Sequence, residues 1–312
     1  MQATILANTE GMDRETWLEW RKQGIGGSDA AVVCGLNRWK SPMELWLEKT
    51  GQAEPKEPGE PALWGTLLEP VIRGEFTRRT GLGVEPVKAI LQHPARSYMF
   101  ANLDGLLEDP ERGQGVFEAK SASQFMSPQW ENGVPDYYEI QVQHYLAVTG
   151  LEYAFVAVLI GGNSFNYYTI ERNDKVIEML IQLEENFWVN HVQTHTPPEI
   201  DGSRASTELL KRLYPESKPN SYLELPEEAL SLIEQFEQGK ADEAEAIQRK
   251  ECAANRIKEM MGEHENAAVG GRAVQWKNVE SERLDARRLK KEASEIYQQY
   301  LQKSSYRRFS VK

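Results

Sequence analysis

The chain has 312 residues, of which 40% are hydrophobic and 27% charged, and this composition excludes wholesale disorder, a collagen-like repeat and a coiled coil throughout. Its two cysteines, Cys34 and Cys252, show no metal-like pairing, which favours a reducing compartment over a secreted disulfide framework. The amino terminus lacks a basic start followed by an apolar stretch, and no segment approaches about 18 apolar residues. We therefore expect a cytoplasmic protein that makes no membrane contact.

The net charge of -12 argues against a nucleic acid partner when taken alone, because DNA is usually bound by a basic surface. The charge is unevenly distributed, however. Residues 271–312 carry eleven Lys and Arg against five Asp and Glu, a local balance of +6. A partner that carries phosphates therefore stays open.

Hydrophobic spacing predicts that the chain begins with helices. The predicted helices cover 14–22, a segment that follows the glycine turn 24–27, and 61–80. Ser28 or Asp29 is expected to be the N-cap of the second helix. The polar, proline-rich stretch 52–60 predicts a surface loop.

The period then changes to that of strands, and helices return later. Three antiparallel strands are predicted over 87–92, 98–107 and 115–121. A helix over 135–149, a hairpin of 153–160 and 165–171, and a helix over 173–192 complete this part. The order predicts an α/β (α+β mixed) fold with a central mixed sheet flanked by helices.

After Pro197 and Pro198 the pattern becomes mainly helical, so we predict a core of residues 1–200 and an extension of residues 201–312. An apolar seam of period near 3.5 over 226–261 indicates one long helix, or two helices broken near Gly239. A short strand over 272–279 and a charged helix over 285–302 follow. We expect this extension to serve assembly, DNA binding or partner binding.

The most informative residues are Asp104 and the triplet Glu118-Ala119-Lys120. Side chains on a strand alternate between faces, so Glu118 and Lys120 project the same way, and Asp104 on the neighbouring strand can reach the same place. Opposed carboxylates repel unless a cation lies between them, and Mg²⁺ is the oxygen-seeking ion that such a pair accepts. Lys120 can then position or deprotonate the attacking water.

A simpler interpretation makes Glu118 and Lys120 a solvent-facing pair and Asp104 a turn residue. The surrounding pattern favours the metal site. A long helix that carries Glu69 precedes the strands, and a helix that carries Gln141 follows them, and both residues can reach the same end of a small sheet.

Five motifs in order resemble the phage lambda exonuclease and YqaJ-type viral recombinase group of the PD-(D/E)XK nuclease superfamily. They are WRKQGIGGSDA, ALWGTLLEP, ANLDGLLED, VFEAKSA and YYEIQVQHYL, and the resemblance covers roughly residues 14 to 200. It implies the PD-(D/E)XK nuclease core as the fold.

The resemblance also implies roles for individual residues. Asp104, Glu118 and the backbone carbonyl of Ala119 would bind the metal, and Lys120 would be the catalytic lysine. Glu69 would be a further acidic member that touches a second metal or its water. Tyr138 and Gln141 would line the same pocket. The superfamily's proline before the aspartate is Leu103 here, which is tolerable because that proline supplies no ligand.

The glycine turn predicts an anion site. Its glycines let backbone N–H groups face outward at a helix start, and Arg21 and Ser28 add a guanidinium and a hydroxyl. The alternative is an ordinary tight turn with an N-cap. In the family that the chain resembles, the matching arginine and serine hold the 5'-phosphate of the digested strand, so Arg21 and Ser28 are the candidates here.

Together these features predict a Mg²⁺-dependent exodeoxyribonuclease, with Mn²⁺ expected to substitute. It would digest double-stranded DNA from its ends in the 5' to 3' direction, giving 5'-mononucleotides and a 3' single-stranded tail. The resemblance further implies a homotrimeric ring, a single-strand annealing protein as partner in phage-type recombination, and a phage or prophage origin in a bacterial cell. Two alternatives stay open: an endonuclease or repair nuclease of the same superfamily, and a catalytically silent DNA-binding scaffold.

Other features are weaker. His191 and His195 have a spacing that can bind Zn²⁺, but no carboxylate or cysteine signature accompanies them. His144 is expected to be packed rather than catalytic. The tryptophans that could stack on bases but are more typical of a core are Trp39, Trp46 and Trp64. A basic run that could bind phosphates, or form a solvated helix face, comprises Arg283, Arg287, Arg288, Lys290 and Lys291.

Overall fold

A computed structural model describes residues 3–53 and 59–311, and the chain divides into two compact units, the second of which begins at Tyr214. The loop predicted over 52–60 lies for the most part outside the described residues. The first unit extends past residue 200 because the helix Arg204–Leu213 buries Ala205 and Leu209 within it. Within the described ranges, no helix has the length and apolar character needed to cross a bilayer.

The first unit contains both helices and strands. Its helices are α1 (Arg14–Lys22), α2 (Gly27–Val33), α3 (Pro42–Lys49), α4 (Glu60–Thr80), α5 (Asp136–Thr149), α6 (Asp174–Phe187) and α7 (Arg204–Leu213). Its strands are β1 (Thr4–Asn8), β2 (Val84–Glu85), β3 (Ala89–His93), β4 (Arg96–Ala101), β5 (Gly105–Asp109), β6 (Gly113–Ala122), β7 (Tyr153–Ile160) and β8 (Ser164–Glu171). A 3-10 helix covers Gln124–Trp130, and a π-helical turn, Trp188–Val192, continues α6.

Two sheets organise this unit. The larger has the strand order β2-β5-β6-β7-β8, in which β6 and β7 are parallel and the other neighbours antiparallel. The smaller sheet, in the order β1-β3-β4, is antiparallel. Helix α4 packs on β6 and β7 through Ile72 and Phe76, while α5 is mostly buried in the main core. The predicted mixed α/β class, with a central mixed sheet flanked by helices, is therefore confirmed.

The single strand predicted over 98–107 is wrong. The chain leaves the smaller sheet after Ala101 and enters the larger one at Gly105, so β4 and β5 belong to different sheets. Gly105 permits a close approach at this point, because a Cβ built on it would lie 2.5 Å from Val84 Cγ1. The segment 102–104 connects the two sheets and ends in Asp104, directly before β5. The Asp104 carboxylate accepts a hydrogen bond from the backbone of β6.

The N-cap predicted at Ser28 or Asp29 is also wrong, because Gly26 caps α2. Asp29 is the third helical residue, and its carboxylate reaches back to accept the N–H of Gly26 at 3.1 Å. This contact satisfies one of the free backbone N–H groups at the start of the helix. The glycine turn is fixed further by Ile25, which donates its N–H to Tyr98 O and accepts from Phe100 N on β4.

The second unit is built around one long helix, α8 (Ala229–Met261), which continues through Gly239 and ends before Gly262. The remaining elements are β9 (Asn266–Val269), β10 (Arg272–Gln275), α9 (Ala286–Glu292) and α10 (Ser294–Gln299). Strands β9 and β10 form a hairpin, and β9 was not predicted. The single helix predicted over 285–302 is instead two short helices that meet at Ala293, whose extended backbone interrupts the helix.

His144 on α5 holds two core elements together, as its expected packing role requires. The side chain is fully buried, with Nδ1 2.8 Å from Glu184 Oε1 and Nε2 2.8 Å from Phe100 O. Burial alone lowers the pKa of His144, but the Glu184 carboxylate and these hydrogen bonds raise it above 6.5 overall. Both ring nitrogens face acceptors, so the imidazolium form satisfies the site.

We expect His144→Gln to lower the free energy of unfolding by about 3 to 5 kcal/mol at pH values below about 6, because Glu184 loses its buried partner. A histidine with a raised folded pKa contributes stability below its unfolded pKa and loses it as the pH rises through the folded pKa. The stabilisation that His144 contributes should therefore shrink as the pH rises above about 6.5 towards its folded pKa. Urea unfolding across this range measures the change, and exposed His264 offers the control His264→Gln. A cost of His144→Gln no larger than that of the control at any pH would contradict the charged pair.

Candidate active site

Four side chains predicted for the site converge at one end of β5 and β6. Lys120 Nζ donates to Glu118 Oε1 at 2.6 Å and to Gln141 Oε1 at 3.1 Å. Gln141 Nε2 donates to the same Glu118 oxygen at 2.6 Å. Asp104 Oδ2 accepts the backbone N–H of Ala119 at 2.8 Å. The Asp104 carboxylate lies close enough to Glu118 to make the ionisation of Glu118 more costly, and Glu118 shares this region with Lys120 and Gln141.

The strand pairing explains why these groups meet. Strand β5 begins at Gly105, which is paired with Phe117, so β6 continues past the start of β5 from Glu118 onward. The Ala119 N–H lies beyond the end of the β5–β6 pairing and donates its hydrogen bond to the Asp104 carboxylate. Because the N–H and C=O of one residue in a strand point to the same side, the carbonyl of Ala119 also faces Asp104.

Burial makes the ionised forms of the site carboxylates unfavourable. Glu118 is 2% exposed, and burial together with the neighbouring Asp104 carboxylate raises the pKa of Glu118 to about 8, against the opposing effect of Lys120. Burial likewise raises the pKa of Asp104, although Lys120 and the Ala119 N–H counteract it. The pKa of Lys120 is raised, because the two carboxylates outweigh the effect of its own burial. The site therefore favours an added positive charge.

The donor set fits a divalent metal ion. Glu118 Oε2 is buried and has no hydrogen-bond partner among the described residues, so one oxygen of the pair is left for a ligand. Together with Asp104 and the Ala119 carbonyl it offers the oxygen ligands that Mg²⁺ prefers. Across the described parts of the chain, no three His, Cys, Asp or Glu side chains are clustered as a metal site.

Glu69 lies beside this group on α4. It forms an ion pair with Arg73 at 3.1 Å, and Arg73 also donates to Asp104 O at 3.4 Å. Burial and the Asp104 charge raise the pKa of Glu69. The structure therefore brings Glu69 near Asp104, with Arg73 between them as a residue that sequence reasoning missed.

Tyr138 and Tyr145 line the opposite side of the lysine. Lys120 Nζ lies 4.5 Å from the centre of the Tyr138 ring. Tyr145, which the sequence analysis did not single out, accepts a hydrogen bond from Gln141 Nε2 at 2.9 Å. Its position four residues after Gln141 places both on one face of α5, which is the signal that could have found it.

The predicted anion site is more charged than the sequence analysis suggested. Arg21 donates to Ser28 Oγ at 3.1 Å and to Asp29 Oδ1 at 2.7 Å, and Asp29 Oδ2 also accepts from buried Lys49 at 2.7 Å. Although burial by itself raises the pKa of Asp29, the charges of Arg21 and Lys49 hold it well below its usual range. The sequence analysis named Asp29 only as a possible N-cap and did not single out Lys49. Arg21 remains 27% exposed.

The glycine turn and the carboxylates are connected by direct packing. A Cβ built on Gly27 would lie 2.5 Å from the Tyr145 ring and 3.1 Å from Gln141 Cγ. Contacts of this kind cannot be relieved without moving the aromatic ring. The start of α2 is therefore fixed against Gln141, which is hydrogen-bonded to Glu118, and against Tyr145, which accepts a hydrogen bond from Gln141.

The weaker candidates lie elsewhere. His191 Nδ1 is 3.1 Å from Thr196 O, and the buried Trp46 donates its indole N–H to His191 O. Trp39 and Trp64 are more than half exposed. In the basic run, Arg288 forms an ion pair with Glu292 on α9.

The mixed sheet is the fold expected for the PD-(D/E)XK nuclease core that the five motifs resemble. Two carboxylates, a lysine and a glutamine lie at one end of its strands. Residues 16–152 match the model of the YqaJ-like viral recombinase domain. A Bacillus subtilis (strain 168) protein, YqaJ, is 38% identical over 315 residues, covering 100% of this chain and 98% of that protein. The chain belongs to the YqaJ-like viral recombinase family.

Solved structures were compared as well. An alkaline exonuclease from Laribacter hongkongensis, LHK-Exo, is 22% identical with a TM-score of 0.49, covering 64% of this chain and 97% of that one. A phage related exonuclease from Haemophilus somnus 129PT is 11% identical with a TM-score of 0.44, covering 58% of this chain and 98% of that one.

We expect Gly27→Ala to lower the free energy of unfolding by about 1 to 3 kcal/mol, because the added methyl group overlaps Tyr145. Gly26→Ala is the matched control, since a Cβ there would meet no atom closer than 3.7 Å, and its effect should stay below about 1 kcal/mol. Chemical denaturation of both variants measures the difference. Equal effects would show that the packing on Tyr145 does not fix the turn.

Proposed function

We propose that this protein is a Mg²⁺-dependent 5'-3' exodeoxyribonuclease that acts on double-stranded DNA ends, with Mn²⁺ able to substitute. The observation that carries the proposal is the pair of interacting carboxylates, buried Glu118 and partly buried Asp104, with Lys120 hydrogen-bonded to Glu118. Family membership supports it, and LHK-Exo is itself described as an alkaline exonuclease.

The residues divide the chemistry between them. Asp104, Glu118 and the Ala119 carbonyl would hold the metal, with Glu69 as a further acidic member. When bound, Mg²⁺ lowers the pKa of water and neutralises charge on the scissile phosphate. Lys120 Nζ donates a hydrogen bond to Glu118 Oε1 at 2.6 Å, and the ammonium group would position the attacking water.

Gln141 and Tyr138 would keep Lys120 in place for this task. Gln141 contacts both Lys120 and Glu118, so its amide fixes the distance between the cation and the carboxylate. The Tyr138 ring covers the ammonium group, a cation–π contact that grows stronger where water is excluded.

Direction of digestion would come from the glycine turn. Arg21 and Ser28 are hydrogen-bonded to one another, and the guanidinium is partly exposed beside backbone N–H groups. A terminal 5'-phosphate suits such a fork of donors. Asp29 fixes the orientation of Arg21, and Lys49 balances the charge of Asp29.

The wider role follows from the family. Digestion would release 5'-mononucleotides and leave a 3' single-stranded tail for recombination by a single-strand annealing protein. A homotrimeric ring around the duplex would provide processivity by topology. We place this activity in the cytoplasm of a bacterial host, encoded by a phage or prophage, and assign residues 201–312 to assembly, DNA or partner binding.

Substrate form tests end dependence. We expect release of acid-soluble nucleotides from linear duplex DNA only when Mg²⁺ is present, and full loss of that release with a chelator. Covalently closed circular DNA should stay intact under the same conditions. Nicking of the circle would favour an endonuclease, and no release from linear DNA at any Mg²⁺ concentration would favour a scaffold.

Lys120→Ala and Glu118→Ala should each lower the cleavage rate by at least about 100-fold, because each removes a group at the reacting phosphate. DNA binding and the circular dichroism spectrum should change little. Glu263→Ala is a control, since Glu263 is an exposed carboxylate in the second unit. Retained turnover in both site variants would refute the site assignment.

Arg21→Ala should selectively remove the preference for 5'-phosphorylated ends, because the guanidinium is the charged donor of the proposed pocket. Initial rates on phosphorylated and hydroxyl ends measure the preference. Arg21→Lys keeps the charge but not the fork, so it should retain part of the preference. If Arg21→Ala lowered both rates equally, the pocket would lie elsewhere.

A further inference from the structure

A row of side chains in contact, with tilted and edge-to-face rings, leads from the proposed catalytic lysine to the surface. Tyr138, over Lys120, lies 4.3 Å from Tyr137 between ring centres. Tyr137 in turn meets the edge of Trp39 at 5.5 Å, and the Arg38 guanidinium lies 4.5 Å over the Trp39 ring. The row continues outward from the site without interruption.

The outer members are exposed rather than packed in the core. Trp39 is 58% exposed, so part of its ring stays accessible beside the Arg38 guanidinium. Arg38 is exposed too and is held by neutral groups, Met126 Sδ at 3.3 Å and Gln129 Oε1 at 3.1 Å. Gln129 also accepts a hydrogen bond from Tyr137.

The charge of this row is positive. No ion pair joins Arg38 to a carboxylate in the part of the chain that the structure describes, so its charge is uncompensated. Phe125, which is 93% exposed, precedes Met126 on the 3-10 helix that contacts Arg38. Exposed aromatic faces beside an unpaired guanidinium are the combination that binds single-stranded nucleic acid, in which bases stack and phosphates are attracted.

We infer that Arg38, Trp39 and Tyr137 form a stacking surface for an unpaired base of the DNA strand that is cleaved. The inference rests on the proposed function. The row of side chains begins at Lys120, the proposed catalytic lysine, and we therefore take DNA as the molecule that binds there. Aromatic and arginine side chains also occur at protein interfaces, so DNA is inferred from the contact of Tyr138 with Lys120 and not from composition.

Binding of short single-stranded oligodeoxynucleotides tests the inference with the full-length protein and a chelator present, so that the DNA stays intact. The probes are one oligonucleotide with all its bases and one of the same length with abasic nucleotides. We expect the parent protein to prefer the first. Trp39→Ala should lower the affinity for it by about 5- to 100-fold and abolish the preference, while Trp39→Phe keeps it.

Controls separate stacking from other effects. Tyr222→Ala removes an 89% exposed aromatic residue of the second unit and should leave the preference intact. If Trp39→Ala lowers the thermal midpoint, Tyr137→Leu provides the same test from the other ring. Equal binding of both probes by the parent, or an undiminished preference in Trp39→Ala and Tyr137→Leu, would overturn the inference. Failure to cleave linear DNA would refute the proposed function without affecting this result.

Discussion

The buried contact between Glu118 and Asp104 constrains the rest of the first unit. Removing two carboxylates from water is costly unless positive charge or hydrogen bonds compensate them. Lys120 and Gln141 converge on one oxygen of Glu118, and the Ala119 N–H on Asp104, which leaves the other Glu118 oxygen without a partner among the described residues. A single ammonium group cannot neutralise two carboxylates, so either a proton or a metal cation completes the balance.

Helix α5 supplies the rigidity that this balance needs. Gln141 and Tyr145 face the carboxylates, whereas His144 is tied to Glu184 and to the backbone of β4. The glycine turn is attached to the same frame through Ile25 on β4 and through the contact of Gly27 with Tyr145. The distance between the proposed phosphate pocket and the carboxylate pair is therefore set by core packing rather than by a mobile loop.

Sequence patterns predicted most elements but not where the chain changes sheet. Helix α5 and the β7–β8 hairpin were predicted because Gly150 and the turn after Ile160 end regular periods. The break at Asn102–Asp104 was missed, since β4 and β5 are both apolar and only tertiary contacts assign them to different sheets. For the same reason Lys49 and Tyr145 were missed: their roles depend on partners distant in sequence or on helix packing, which residue type alone does not show.

The net charge of -12 opposes the binding of DNA, so the proposed function needs contacts that do not depend on a basic surface. Affinity that comes from releasing counterions requires many phosphate contacts, and with 48 Asp and Glu against 36 Lys and Arg the acidic groups of the chain oppose such contacts. Stacking on Trp39 and Tyr137 depends on π faces and is less sensitive to net charge, while Arg21 and Lys120 would each meet one defined phosphate. A few directional contacts at the strand end can thus replace a basic surface, and they leave the rest of the duplex weakly held and able to advance after each cleavage.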